Sequence, residues 1–199
     1  MMKKFLTIVS AALTLGVSQA EVQTGSEAPE FELTSVDGKS VSLKSYKGKT
    51  IVLEWHNPGC PFVKKFYTPG KMQELQEATI AGGGVWLTIN SSADGKPGSH
   101  TSEEMAKILA DQKFAGTEYL FDRDGLVGKT YGAKTTPHIY IIDKEGNVVY
   151  QGAIDSKKST KSKDIAGATN YVETTLKALS EGKDITPSQT PAYGCGVKY

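Results

Sequence analysis

A mixed β-sheet with helices on both faces, extended by an N-terminal β-hairpin, is the α/β fold class this 199-residue sequence predicts. Three observations predict it. Residues 50–55 and 85–90 are nearly continuous apolar runs with the length and β-branched content of strands buried on both faces. Segments of helical periodicity alternate with them, as crossover connections require. Two turn sequences, Asp37-Gly38 and Asp143-Lys144-Glu145-Gly146-Asn147, separate short apolar segments as hairpin turns do.

In chain order, residues 31–34 and 40–43 make the first hairpin. The strand at 50–55 then runs through Glu54-Trp55-His56-Asn57-Pro58-Gly59-Cys60 into a helix that starts at Pro61. Proline suits that first helical position, because its missing N–H would be unpaired there and its φ already fits a helix. Phe62, Phe66 and Tyr67 open an apolar stripe, Thr68-Pro69-Gly70 interrupts it, and Met72, Leu75 and Ala78 resume it. That pattern predicts one kinked or broken helix, ended by Ala81-Gly82-Gly83-Gly84. After the strand at 85–90, a polar loop leads to Thr101-x-x-Glu104, a capping box. Its helix sets Met105, Ile108, Leu109 and Gln112 on one face. Residues 119–121 read as a short strand and 126–131 as a short helix. Residues 138–142 and 148–151 pair around the second turn, and the lysine-rich loop 157–163 reads as solvated surface. Asn170, with Glu173 three residues on, caps a last helix buried along Val172, Leu176 and Leu179. Residues 182–199 read as an ordered tail without regular structure. These patterns leave the strand order open.

Residues 1–20 read as a secretory signal peptide. Met1-Met2-Lys3-Lys4 is basic, Phe5 to Gly16 is apolar, and small residues lead to Ala20. The run is too short for a membrane span. Residues 21–181 are then one domain and 182–199 a tail carrying the second cysteine. The expectation is a periplasmic or secreted protein without a membrane anchor. The roughly 180 residues after Ala20 suffice for a full core without metal or disulfide staples. Without Lys3 and Lys4 the chain has 21 basic against 22 acidic residues. No charge excess points to nucleic acid or an anionic membrane, and a single arginine, Arg123, offers little for phosphate recognition.

Cys60 and Cys195 are the only cysteines. They are too few for a disulfide framework and too far apart in sequence for a zinc knuckle. At a helix start, Cys60 feels partial positive charge that favours the thiolate, the form that attacks disulfides and peroxides. That reactivity requires a sulfur open to solvent. The pair therefore reads as a redox couple, with a stapling disulfide as the alternative.

Four motifs in this order resemble the thioredoxin-fold superfamily, in its peroxiredoxin-like branch of exported redoxins. They are Ala28-Pro29-Glu30-Phe31-Glu32-Leu33, Gly59-Cys60-Pro61-Phe62-Val63-Lys64-Lys65, Thr135-Thr136-Pro137-His138 with Ile141-Ile142-Asp143, and Tyr193-Gly194-Cys195-Gly196-Val197-Lys198-Tyr199. The resemblance implies a thioredoxin-like fold with the reactive cysteine at the start of the first long helix. Thioredoxins carry Cys-x-x-Cys there, whereas this chain has Val63 at the second place. A mixed disulfide on Cys60 then needs a resolving thiol from elsewhere, and the resemblance implies a Cys60–Cys195 disulfide. It also implies that Thr136-Pro137 is a cis-proline loop which, with Pro61, binds substrate. Sequence physics alone favours an ordinary trans proline.

Glu54 stands where thioredoxins have a buried acid that takes the resolving thiol's proton. A glutamate facing water at a strand end is the alternative. His56 and His138 flank the site, as structural residues or as groups that tune a thiolate or bind copper. Three activities follow. The first is a thiol–disulfide oxidoreductase without a cofactor, acting on disulfide or dithiol proteins and recharged by a thiol reductant. The second is a thiol peroxidase, although Leu53 and Asn57 stand where peroxiredoxins have Pro and Thr. The third is a non-catalytic binding module with a structural disulfide.

Overall fold

The computed structural model describes residues 21–199, so the signal peptide expected at 1–20 lies outside the described residues. Strands β1 (Glu32–Ser35), β2 (Ser40–Ser42), β3 (Ile51–Trp55), β4 (Val85–Asn90), β5 (Glu118–Phe121), β7 (His138–Ile142) and β8 (Val148–Gly152) form one mixed sheet. Their order is β2-β1-β5-β4-β3-β7-β8. A separate ribbon pairs β6 (Thr135–Thr136) with β9 (Cys195–Gly196).

The connections explain that order. Helical crossovers make β3, β4 and β5 parallel. The β7–β8 hairpin adds antiparallel on the other side of β3, and the N-terminal hairpin adds antiparallel to β5. All five residues of β3 are buried. Its C-terminal end lies mid-sheet, and there the chain leaves for Cys60.

The two faces of β3 alternate, as the pleat requires. Leu53 and Trp55 join Leu87, Ile89, Tyr140 and Tyr131 in one core. Val52 joins Trp86, Ile139, Ile141 and Tyr150 in the other, which also holds Cys60, Val63, Phe66 and Val172. Helices α1 (Pro61–Tyr67), α2 (Lys71–Ala81) and α5 (Tyr171–Glu181) cover this second face. Helix α4 (Leu126–Tyr131) covers the first through Tyr131. Helix α3 (Ser102–Asp111) packs Met105 and Leu109 on Tyr119.

The expected break after Tyr67 is real: Gly70 sits at φ 88, a left-handed conformation that separates α1 from α2. The Thr101–Glu104 capping box forms, and Asn170 Oδ1 accepts the amides of Val172 and Glu173 at 3.0 and 3.1 Å. Two details differ from the sequence reading. The buried stripe of α5 runs through Val172 and Thr175, with Leu176 and Leu179 only half-buried. The tail is not wholly irregular, because Cys195 and Gly196 form β9. A two-residue strand whose partner lies about sixty residues upstream leaves no periodicity to read.

Candidate active site

Cys60 is the N-cap of α1, with extended backbone (φ −74, ψ 125) and Pro61 at the first helical position. An Asn57 turn sets it there: Asn57 Oδ1 accepts the Gly59 amide at 2.9 Å, and Asn57 O accepts the Cys60 amide at 3.0 Å. Gly59 and Pro61 are exposed, but Cys60 itself is 3% exposed. The expectation of an open sulfur is corrected here, and the cause is the tail. β9 lies antiparallel to β6 with Cys195 opposite Thr136, and Cys195 Sγ stands 2.8 Å from Cys60 Sγ. Both cysteines are free thiols. Val63, in the place of a neighbouring second cysteine, is buried in the core under α1.

The Thr136–Pro137 peptide is cis, as is Thr186–Pro187 in the tail, which the sequence did not flag. The turn brings the Thr136 carbonyl within 3.0 Å of Cys60 Sγ, where it accepts from the thiol. Gly194 lets the tail come this close: a Cβ there would stand 2.1 Å from Thr136 O.

The two thiols differ in acidity. Burial opposes ionisation of Cys60, but the Cys195 thiol and the Val63 amide outweigh it, so its pKa falls below the usual 9.0. Cys195 moves the other way, to about 11, through burial and then the adjacent Cys60 sulfur. Cys60 therefore ionises first, with Cys195 as a protonated neighbour.

Glu54 is fully buried on the Cys60 side of the sheet, opposite Thr88 in the β3–β4 register. Oε2 accepts from Trp86 Nε1 at 2.9 Å, Tyr67 OH at 3.0 Å and Thr88 Oγ1 at 3.1 Å. Oε1 has no partner. Burial raises the carboxyl from 4.5 to about 7 despite those donors. The donors Tyr67, Trp86 and Thr88 went unread because strand pairing, not sequence spacing, assembles them.

The histidines do not converge. His56 follows Glu54 on the α1 side, its ring edge-on to Tyr67 and Tyr119 and its Nδ1 3.0 Å from Tyr119 OH. His138 pairs with Trp55 in the β3–β7 register and stacks on Tyr140 across the sheet. Burial lowers both to about 3, so they are neutral at physiological pH. Among the described residues, no three metal-ligating side chains gather. Arg123 is committed elsewhere, donating to Asp94 Oδ1, Ser99 Oγ and His100 O at 3.0, 3.2 and 2.6 Å.

Three residues that the sequence reading did not assign come together from α1, the segment after β8 and the tail. Lys65 of α1, Asp155 after β8 and Tyr193 of the tail form a buried polar cluster. The only signal was a lysine within the apolar stripe of α1.

Residues 24–151 match the AhpC/TSA family. The chain belongs to that family. A thiol-disulfide oxidoreductase ResA of Bacillus thuringiensis subsp. konkukian is 25% identical over 140 residues, covering 67% of this chain and 71% of that protein. Among solved structures, an uncharacterized conserved protein from Geobacillus kaustophilus matches with a TM-score of 0.77 and 30% identity, over 89% of this chain and 92% of that one. A putative thiol:disulfide interchange protein DsbE from Chlorobium tepidum matches with a TM-score of 0.53 and 27% identity, over 66% and 85%. The fold of this AhpC/TSA member is thioredoxin-like, with Cys60 at the start of its first helix after the central strand.

Proposed function

We propose that the protein is an exported thiol–disulfide oxidoreductase in which Cys60 attacks and Cys195 resolves. The observation that carries this reading is the thiol pair at 2.8 Å, one member with a lowered and the other with a raised pKa. When the tail carrying β9 lifts from β6 and uncovers the sulfur, the Cys60 thiolate attacks one sulfur of a substrate disulfide. A Cys60–substrate bond forms, the substrate S–S bond breaks, and the departing sulfur takes up a proton. Cys195 then loses its proton and attacks Cys60 Sγ, which releases the second substrate thiol. Two electrons pass to the substrate, and a Cys60–Cys195 disulfide remains. A dithiol reductant returns it to the starting state.

Disulfide or dithiol proteins are the substrate class, in keeping with the relatives' names. Exposed Gly59 and Pro61, with the backbone of Thr136 and Pro137 that β9 covers until the tail lifts, would bind the peptide around the reacting sulfur. Glu54 takes the proton of Cys195: it lies on the same sheet face, has an unpartnered oxygen, and titrates near neutrality. Export rests on the basic, apolar and small-residue succession of residues 1–20. Among the described residues, no helix is long and apolar enough to cross a membrane.

Titration against reduced and oxidised glutathione, with alkylation and mass spectrometry, tests the reading. One Cys60–Cys195 disulfide is expected, with a potential above about −300 mV, and absent from Cys60→Ser and Cys195→Ser. A disulfide that resists reduction down to that value would be a staple and sink the proposal. Hydrogen peroxide should turn over slowly, since Arg123 is committed to Asp94, Ser99 and His100 and no other guanidinium exists to polarise the oxidant. Rapid, saturable oxidation of Cys60 would reverse that order of activities.

A further inference from the structure

Lys65 has a side chain with no exposed surface, and the chemistry above makes no use of it. Its three ammonium protons are all placed: on Asp155 Oδ2 at 2.7 Å, the Lys157 carbonyl at 2.8 Å and Tyr193 OH at 3.0 Å. Tyr193 OH in turn donates to Asp155 Oδ1, which also accepts the Lys157 amide at 3.0 Å. The ammonium lies 4.7 Å from the Phe66 ring centroid and 5.4 Å from that of Tyr193. The Tyr193 ring meets Phe62 edge-on at 5.8 Å. Such a cluster is far more than a surface tail needs to stay attached.

Its members occupy telling places in the chain. Lys65 lies five residues beyond Cys60 on the helix that Cys60 caps. Tyr193 lies two residues before Cys195, with only Gly194 between them, and Gly194 presses on the Thr136 carbonyl. We propose that Lys65, Asp155 and Tyr193 form a latch that positions Cys195 for attack on Cys60. The inference rests on the Cys60–Cys195 couple proposed above and deepens it. If the tail lifts, the Lys65–Asp155 pair stays but Lys65 loses one acceptor and Asp155 one donor, and a buried charged group short of a hydrogen bond is disfavoured. The latch thus makes the docked tail the low-energy state and raises the effective concentration of Cys195 at Cys60. These are positioning residues, since none touches either sulfur.

Tyr193→Phe keeps the ring and its contact with Phe62 but deletes the hydroxyl. The readout is the equilibrium of the internal disulfide with glutathione, which measures the effective concentration of Cys195. A fall of about tenfold is expected, equal to a potential about 30 mV less reducing. Asp155→Asn should shift it in the same direction; should that variant not fold, Tyr193→Phe decides alone. General loosening would instead lower the denaturation midpoint of the reduced protein and leave the disulfide equilibrium in place. A parent couple intact with the variants within twofold of it would overturn the latch alone. A parent that forms no internal disulfide would overturn the couple and the latch together.

Discussion

At the scale of single residues, position alone gives ordinary side chains unusual acidity. Glu54 was legible as an acid six residues before Cys60, but its burial was not, because that follows from β4 and β7 flanking β3. Its folded pKa of about 7 exceeds the ordinary 4.5, so the folded state keeps the proton longer than the unfolded chain. Below pH 4.5 both states are protonated, and the group contributes no pH dependence. Between 4.5 and about 7 the unfolded state ionises first, so stability falls as pH rises, by about 3 kcal/mol in total. Above that window the loss is complete and the curve flattens. Denaturation of the reduced protein from pH 4 to 8 should show this slope, and Glu54→Gln should abolish most of it. Retention of the full slope in the variant would assign it to another group. The same variant should slow disulfide exchange near neutrality if Glu54 takes the Cys195 proton.

At the scale of elements, most boundaries were readable because each has a local cause. The cap at Asn170, the capping box at Thr101, the left-handed Gly70 and the proline opening α1 all act within a turn or two. The exception is β9, which exists because of a partner strand distant in sequence and a glycine that permits contact. Gly194→Ala should therefore unseat β9, since its Cβ would meet the Thr136 carbonyl at 2.1 Å. In the reduced protein, alkylation of Cys60 should then quicken, by about tenfold, as the cover over the sulfur lifts. An unchanged alkylation rate would mean that something other than the seated tail shields Cys60.

At the scale of the whole molecule, the two cysteines lie 135 positions apart and close a loop spanning most of the described chain. Oxidation should stabilise the fold by about 4–5 kcal/mol, chiefly by restricting the unfolded ensemble. Urea denaturation of the oxidised and dithiol forms measures the difference, and equal midpoints would show that the closed bond strains the folded state by a matching amount. The sequence by itself determined most secondary elements and the helix-start placement of Cys60, since these depend on neighbours a few residues apart. Only the tertiary structure decided the strand order, the burial of Glu54, the separation of His56 from His138 across the sheet, and the latch that holds Cys195 against Cys60. Each of these depends on segments brought together from far along the chain, and such meetings leave no periodic trace in the order of residues.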